Sequence, residues 1–539
     1  MHHFLKHNVA PACLAALLLF MGSPLTHAYS DASADHWAVE TIVKAEEYGL
    51  MEGYPDGRFG VGDNMTRAEF ATVLCRMFGW ELPEVPTDRW IDCGGHWALP
   101  YLATARDHDA IDGSGAFRPD DYISRSEMAV MLVRGLGYGS LAKSLESTDL
   151  PFPDVTENRG YIAIAYHLDI INGVEEKDQL KFLPTFSATR EQAAAMLVRC
   201  YERYSAQTQW RHGFYAFNSF DQLSFADPLD GVSVGWARLE VNDGLPILNE
   251  TRENGNDWVK PQGADLVTDY LSQRDITCNL SVFGSASAFA ALITPEQKAE
   301  AIALLTEAAA PYAGLTIDFE GLREEHREGF SSFMTDLRAA LPQNKTLFVC
   351  VQPDTWFKGF DYRALGEVCD RVILMAHDYQ WASIPDYYLG TGNTNCPVTP
   401  FDKIYTALQH ITDPETGVAD RSKIALAISF NTTGFHVDEN GLLVDTTFYH
   451  PSTATIAKRL GQSDSVRVWD ETARNPYLEY TTEDGERYKL WYEDAQSITE
   501  KLQLARMFGV TGFSVWRLGM IPDDPALPHY NVQDVFADF

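Results

Sequence analysis

The chain has 539 residues, of which 45% are hydrophobic and 22% charged. That balance excludes a disordered, collagen-like or coiled-coil protein. Its 42 Lys and Arg against 76 Asp and Glu leave a formal charge of −34, which repels phosphate and speaks against nucleic acid or anionic membrane as a partner. Residues 1–28 read as a cleaved secretory signal: Lys6 lies among histidines, residues 12–21 are an unbroken apolar run, and Thr26-His27-Ala28 offers small residues at a cleavage site. A run this short does not span ~30 Å of hydrocarbon, and no later segment reaches 18 apolar residues, so no membrane contact is expected after cleavage. Cys75, Cys93, Cys200, Cys278, Cys350, Cys369 and Cys396 show no Cys-x-x-Cys spacing, so neither a zinc site nor a disulfide framework is indicated.

A pattern with a period of about sixty residues follows. The first copy has Asp35-His36-Trp37, then Gly53-Tyr54-Pro55-Asp56-Gly57-Arg58-Phe59, then Thr66-Arg67-Ala68-Glu69 before an apolar run. The second has His96-Trp97-Ala98, Phe117-Arg118-Pro119-Asp120 and Ser124-Arg125-Ser126-Glu127. The third keeps Phe152-Pro153-Asp154, Phe182-Leu183-Pro184 and Thr189-Arg190-Glu191-Gln192 but lacks the His-Trp pair. Each copy predicts helix, turn-rich loop, helix. Thr66 with Glu69 and Ser124 with Glu127 are capping boxes, in which hydroxyl and carboxylate each satisfy an orphan backbone N–H. A capping box demands nothing at its second position, yet arginine stands there three times, 58 and 65 residues apart. Together the copies resemble surface-layer homology (SLH) repeats, which dock bacterial exoproteins onto an anionic secondary cell-wall polymer. The resemblance implies that Arg67, Arg125 and Arg190 pair with polymer carboxylate or phosphate, as a guanidinium fork suits, and that Trp37 and Trp97 stack on its sugars. The expected repeats are 29–84, 85–142 and 143–207, mainly α-helical.

From residue 208 to 539 the texture becomes α/β. Strand-like segments at 213–219, 231–237, 276–283, 314–320, 346–351, 371–377, 423–430 and 510–516 alternate with helical patterns. Eight such units predict a (β/α)8 TIM barrel, with chemistry at the C-terminal ends of its strands. The segment exceeds the ~250 residues typical of that fold. An α+β insertion is expected after strand 7, where hairpins are indicated around Asn440-Gly441 and Asp484-Gly485.

The fourth strand carries the chemistry. In residues 313–320, period-two alternation puts Thr316, Asp318 and Glu320 on the barrel's inner face and Leu315, Ile317 and Phe319 on the other. Two carboxylates confined there repel each other and are poorly solvated, so one is expected to keep its proton near neutrality, as a general acid must. This strand resembles the Asp-Gly-x-Asp-x-Asp-x-Glu motif of family-18 glycoside hydrolases, with Glu320 as acid/base and Asp318 assisting it. Ala313 and Thr316 depart from that motif, with Thr316 still able to hydrogen-bond Asp318. Met375-Ala376-His377-Asp378 is similar to the family's Met-x-Tyr-Asp, with His377 in place of the tyrosine that holds the substrate's acetamido oxygen, and Trp516 matches its closing tryptophan, the floor of the −1 sugar subsite. Residues 491–503 resemble the branch that includes spore-cortex and cell-wall N-acetylglucosaminidases. Tyr215, Phe217, Trp236, Trp356 and Trp381 fall at or beyond strand ends, where each suits a sugar cleft or aromatic core packing.

The resemblance implies a retaining, substrate-assisted hydrolase of β-1,4 bonds after N-acetylhexosamine units in peptidoglycan or chitin-like glycans. It implies catalysis by Glu320 and an ionised Asp318, and substrate contacts from Asp378, His377, Met375, Trp516, Tyr215 and Thr316. No metal or organic cofactor is implied. The expected protein is secreted and held at the bacterial cell wall. The departures at Ala313, Thr316 and His377 keep open a second reading, a lectin-like glycan-binding surface protein; the retained Glu320 is what separates the two.

Overall fold

The computed structural model describes residues 29–354 and 358–538; the expected signal segment and Trp356 lie outside them. The chain divides into two compact units. One comprises residues 29–137, 152–155 and 173–199, the other residues 138–151, 156–172 and 200–538.

The first unit is a ring of three similar parts. The helices Arg67–Phe78 and Arg125–Gly135 start at the capping boxes of Thr66 and Ser124, and the third part supplies the first turns of Arg190–Tyr204. The residues before these helices close on one another. Ile123 N–H donates to Met65 O (2.9 Å), Ala188 N–H to Ile123 O (3.0 Å) and Met65 N–H to Ala188 O (3.0 Å). Asp31, Asp92 and Asp154 each accept from the backbone N–H of a phenylalanine, Phe59, Phe117 and Phe182 in turn, and so pin the three turn-rich loops. An unanticipated hairpin, β1 (Val174–Glu176) with β2 (Gln179–Lys181), closes the third loop through Lys177 and Asp178, both at positive φ. Lys-Asp is a weaker turn signal than the Asn-Gly or Asp-Gly that this geometry favours. The expected third repeat is shared out. Its loop and second helix belong to the ring, whereas the helix Arg159–His167 groups with the second unit, where His167 Nδ1 meets Tyr405 Oη at 2.7 Å.

The second unit is the closed barrel. Its strands are β3 (Trp210–Tyr215), β4 (Gly231–Asn242), β6 (Thr277–Ser285), β7 (Gly314–Glu320), β8 (Thr346–Val351), β9 (Arg371–Leu374), β10 (Ile424–Ser429) and β15 (Gly512–Trp516), all parallel to their barrel neighbours, and β3 pairs with β4 to complete the circle. A further strand, β5 (Leu245–Asn249), runs antiparallel along the end of β4. Inside lies an apolar core of Trp210, Phe214, Phe348, Cys350, Ile373, Ala425 and Ala427. Outside, Phe319 packs into an aromatic layer with Phe289, Phe330 and Phe333 of the helical shell, the partition that period-two alternation dictates.

The insertion follows strand seven as expected. It is an antiparallel sheet of β11 (Thr433–Val437), β12 (Ser465–Asp470), β13 (Asn475–Thr481) and β14 (Arg487–Trp491), in the order β11-β14-β13-β12. Gly441 and Gly485 take positive φ in its turns. A buried ion pair ties this sheet to the helix before the last barrel strand, Ala495–Met507. Lys501, 0% exposed, donates from Nζ to both oxygens of Glu493 (2.6 Å), to Thr399 Oγ1 (2.7 Å) and to Asn475 Oδ1 (2.9 Å). All three ammonium protons are engaged, which makes burial of the charge tolerable. Removing one partner strands the other. Lys501→Met is therefore expected to cost about 3–5 kcal/mol, and Glu493→Leu with Lys501→Met to recover most of that loss in thermal unfolding followed by circular dichroism.

Candidate active site

Register places Asp318 beside Phe283 on β6, with Glu320 one step nearer the mouth beside Ser285, and the Cys350 thiol of β8 reaches Asp318 from the other side. Gly321 then leaves the strand at φ +72°, a left-handed turn that favours glycine. Its N–H donates to Gln352 Oε1 at 2.7 Å, which fixes the chain directly after Glu320.

Asp318 is sealed from water, and burial together with the charge of Glu320 pushes its carboxyl well above the usual range, against a hydrogen bond from the Cys350 thiol. Burial also raises Glu320, with a charge on His377 opposing and Asp378 adding to the shift. The expectation of one retained proton agrees with this pair. Both carboxyls are raised, Asp318 by burial and the charge of Glu320 and Glu320 by burial, which favours a shared proton between them. Cys350 was not legible as a site residue. It reaches Asp318 from the neighbouring strand β8, a contact across strands that the sequence does not display.

Asp378 stands at positive φ just beyond β9. Burial would raise its carboxyl, but His377, through charge and the 2.9 Å contact from Nδ1, with amide bonds from Asn431 (2.8 Å) and Gln380, brings it down to about 2. Asp378 is thus a fixed anion near a protonated pair. Met375 and Trp516 pack on the upper edge of the barrel core, and Trp516 meets Phe214 edge-on at 5.3 Å.

Two expected substrate contacts are corrected. Tyr215 faces the helical shell, 3% exposed and edge-on to Trp236. The strand begins at Trp210, three residues before the expected start, and its alternation turns Trp210, His212 and Phe214 to the inner face. Trp236 is buried with it, turned outward by a bulge between Gly235 and Ala237. Thr316 is fully buried and turns to Ser233 Oγ (2.6 Å) instead of Asp318. Ser233 also meets His212 Nε2, and His212 Nδ1 meets Ser514 Oγ, both at 2.8 Å. Burial lowers His212 to about 3, so the imidazole is neutral and links three hydroxyls across the barrel floor.

In the ring unit the two tryptophans stand clear, Trp37 at 60% and Trp97 at 58% exposed, because the preceding histidines turn inward: His36 and His96 Nδ1 accept from the N–H of Ala38 and Ala98. The arginines are committed within the protein. Arg67, Arg125 and Arg190 donate from Nε to Phe117 O, Phe182 O and Phe59 O, each lying over that same phenylalanine, and Arg67 also pairs with Glu127. Each arginine therefore staples one part of the ring to the next, a role that spacing alone did not reveal. A groove of about 230 Å³ runs past Gly53, Glu69, Arg76, Trp97 and Arg190.

The raised Asp318 has a consequence for stability. A carboxyl whose folded pKa lies above its unfolded value stabilises the fold below the unfolded pKa, and that contribution is lost as pH rises through the folded pKa. Asp318→Asn removes the cost of ionisation in the core. Its melting temperature is expected to exceed the parent's by a few degrees at pH 8 and by less at pH 4; a larger gain at pH 4 would contradict the assignment.

Residues 199–520, more than half of the chain, match the family described as Glycosyl hydrolases family 18, and residues 28–71 and 92–129 match the S-layer homology domain. The chain is 36% identical over 149 residues to cell surface glycoprotein 1 of Acetivibrio thermocellus, covering 25% of this chain and 6% of that protein. It is 25% identical over 210 residues to the cortical fragment-lytic enzyme of Bacillus anthracis, covering 38% and 45%. The chain thus spans less than half the length of these relatives. Among solved structures, the Bacillus cereus spore cortex-lytic enzyme SleL aligns at 16% identity and TM-score 0.47, over 72% of this chain and 84% of that one. A Paenibacillus barengoltzii family-18 N-acetylglucosaminidase aligns at 18% and 0.46, over 61% and 98%. With its barrel matched from end to end and its leading residues matched to surface-layer repeats, the chain belongs to glycosyl hydrolase family 18 and carries S-layer homology repeats in front of that domain.

Proposed function

We propose that this protein is a secreted glycosidase, attached to the bacterial cell wall, that cleaves β-1,4 bonds after N-acetylhexosamine units in peptidoglycan or chitin-like glycans with retention of configuration. The observation that carries the reading is the buried Asp318–Glu320 pair, raised in pKa and facing Asp378 at the barrel mouth. In the reaction Glu320 gives its proton to the glycosidic oxygen while the sugar's own 2-acetamido carbonyl attacks the anomeric carbon. Positive charge then develops on the oxazolinium. That charge favours an ionised Asp318, so the one proton the pair holds stands on Glu320 when it is passed to the glycosidic oxygen, and both carboxylates are ionised once the bond has broken. Glu320, left as a carboxylate, finally takes a proton from the water that opens the oxazolinium. Trp516 floors the reacting sugar, and His377, held by Asp378, presents its remaining ring nitrogen toward the acetamido group. No metal or organic cofactor enters the scheme.

Attachment is assigned to the ring unit. Trp37 and Trp97 stack on sugars of an anionic secondary wall polymer. Arg67, Arg125 and Arg190, their guanidinium planes fixed by the loop carbonyls, face its carboxylate or phosphate groups.

Release of reducing ends from peptidoglycan and chitooligosaccharides is expected to fall about 10²–10⁴-fold in Glu320→Gln; equal release by both proteins would defeat the catalytic reading in favour of a glycan-binding one. Trp97→Ala leaves the ring's staples intact and is expected to shift the full-length protein from the pellet to the supernatant when it is sedimented with purified cell walls. Undiminished sedimentation would remove Trp97 from the attachment site.

A further inference from the structure

Beside Trp516 stands an aromatic side chain with no part in the scheme above. Trp258 comes from the loop that follows the β4–β5 hairpin. It lies flat on Phe283 (5.0 Å, 5° between planes), 5.7 Å from Trp516 and 5.6 Å from Phe217. Phe283 is the register neighbour of Asp318, so this cluster bridges from the catalytic strand to the eighth strand. Gly235 makes room for it: a Cβ there would sit 2.7 Å from the indole.

The loop is built to hold this ring. Asn256, 1% exposed, donates from Nδ2 to the carbonyls of Asn249 (2.8 Å), Thr251 (2.9 Å) and Trp258 (3.0 Å), and its Oδ1 accepts from Trp258 N–H (2.9 Å). One buried amide thus fixes both backbone groups of Trp258. Glu240, Arg238 and Asn254 brace the same loop from the hairpin. Phe217 is also held, at positive φ beneath the guanidinium of Arg517, which donates to Ala216 O at 3.1 Å. Trp258 nevertheless remains partly exposed at the mouth. An apolar ring immobilised by a polar hub and left accessible has the properties of a stacking surface, because its ordering cost is met before a ligand arrives.

We propose that Trp258 is a specificity-determining residue that stacks on the sugar adjoining the one over Trp516, so that the enzyme prefers oligosaccharides long enough to cover both rings. The proposal rests on the hydrolase reading for its register along the glycan. It is tested with chitooligosaccharides of two to five units, by kcat/KM in the active protein and by fluorescence-monitored binding in the Glu320→Gln background. Trp258→Ala is expected to abolish the gain with chain length, losing about tenfold on the longer oligosaccharides and little on the dimer. Trp258→Phe, which keeps the packing on Phe283, is expected to retain most of the gain. Equal losses at every length, no loss, or a phenylalanine variant as impaired as the alanine one would overturn it. Absence of turnover by the parent, with length-dependent binding in Glu320→Gln that Trp258→Ala removes, would sink the hydrolase reading and sustain Trp258. Binding without length dependence would overturn the Trp258 proposal itself.

Discussion

Two carboxyl groups two residues apart on one strand are withheld from water, and the architecture of the second unit is arranged around that cost. In an open sheet such side chains would turn to solvent. In a closed barrel, parity commits Asp318 and Glu320 to the interior, where desolvation and mutual repulsion keep a proton on the pair. The neighbours divide the labour. Asp378, given several hydrogen bonds, is held low; Asp318, with a thiol as its donor, is pushed well above the usual carboxylate range. Carboxyls in one mouth thus shift in opposite directions because their donors differ.

The neutral His212 chain sets the depth of that site. Where the family motif places another aspartate, Thr316 carries no charge and bonds sideways to Ser233. A second buried carboxylate at this level would need a partner that the hydroxyl and imidazole network does not offer as a cation. Glu320 is consequently the acid nearest to Asp318 along the strand, and the proposed catalytic pair is these two residues.

How much of this was legible depends on the range over which each feature is decided. The parity of residues 314–320, the capping boxes at Thr66 and Ser124 and the turns at Gly441 and Gly485 are local, and the chain displays them. Tyr215 was misplaced because which face of the first strand turns inward is decided by its pairing with β15, Trp210 beside Gly512, 302 residues away in the chain. Thr316 was given the wrong partner for a similar reason: its neighbour Ser233 comes from another strand. Trp258 lies in a loop with neither strand nor helix periodicity, and its place at the mouth comes from the Asn256 hub, whose bonds no spacing rule encodes. Lys501 lies within residues 491–503, whose resemblance names no ion pair, yet it is the cation that holds the insertion to the barrel.

The ring unit raises an electrostatic question that the net charge of −34 sharpens. Its proposed partner is itself anionic, so the mean field of the protein opposes the encounter. Screening limits that opposition to about 10 Å at 0.1 M salt. Within that distance the outcome is decided by local groups, and the groove holds Arg76 and Arg190 beside the exposed Trp97. Arg190 is already anchored to Phe59 O and Glu52 O, so it presents its charge without the conformational cost of ordering a free side chain. The commitment of the arginines to the ring and their proposed contact with the polymer are therefore compatible: the staple fixes the guanidinium plane, and the indole beside it adds contact that salt does not screen.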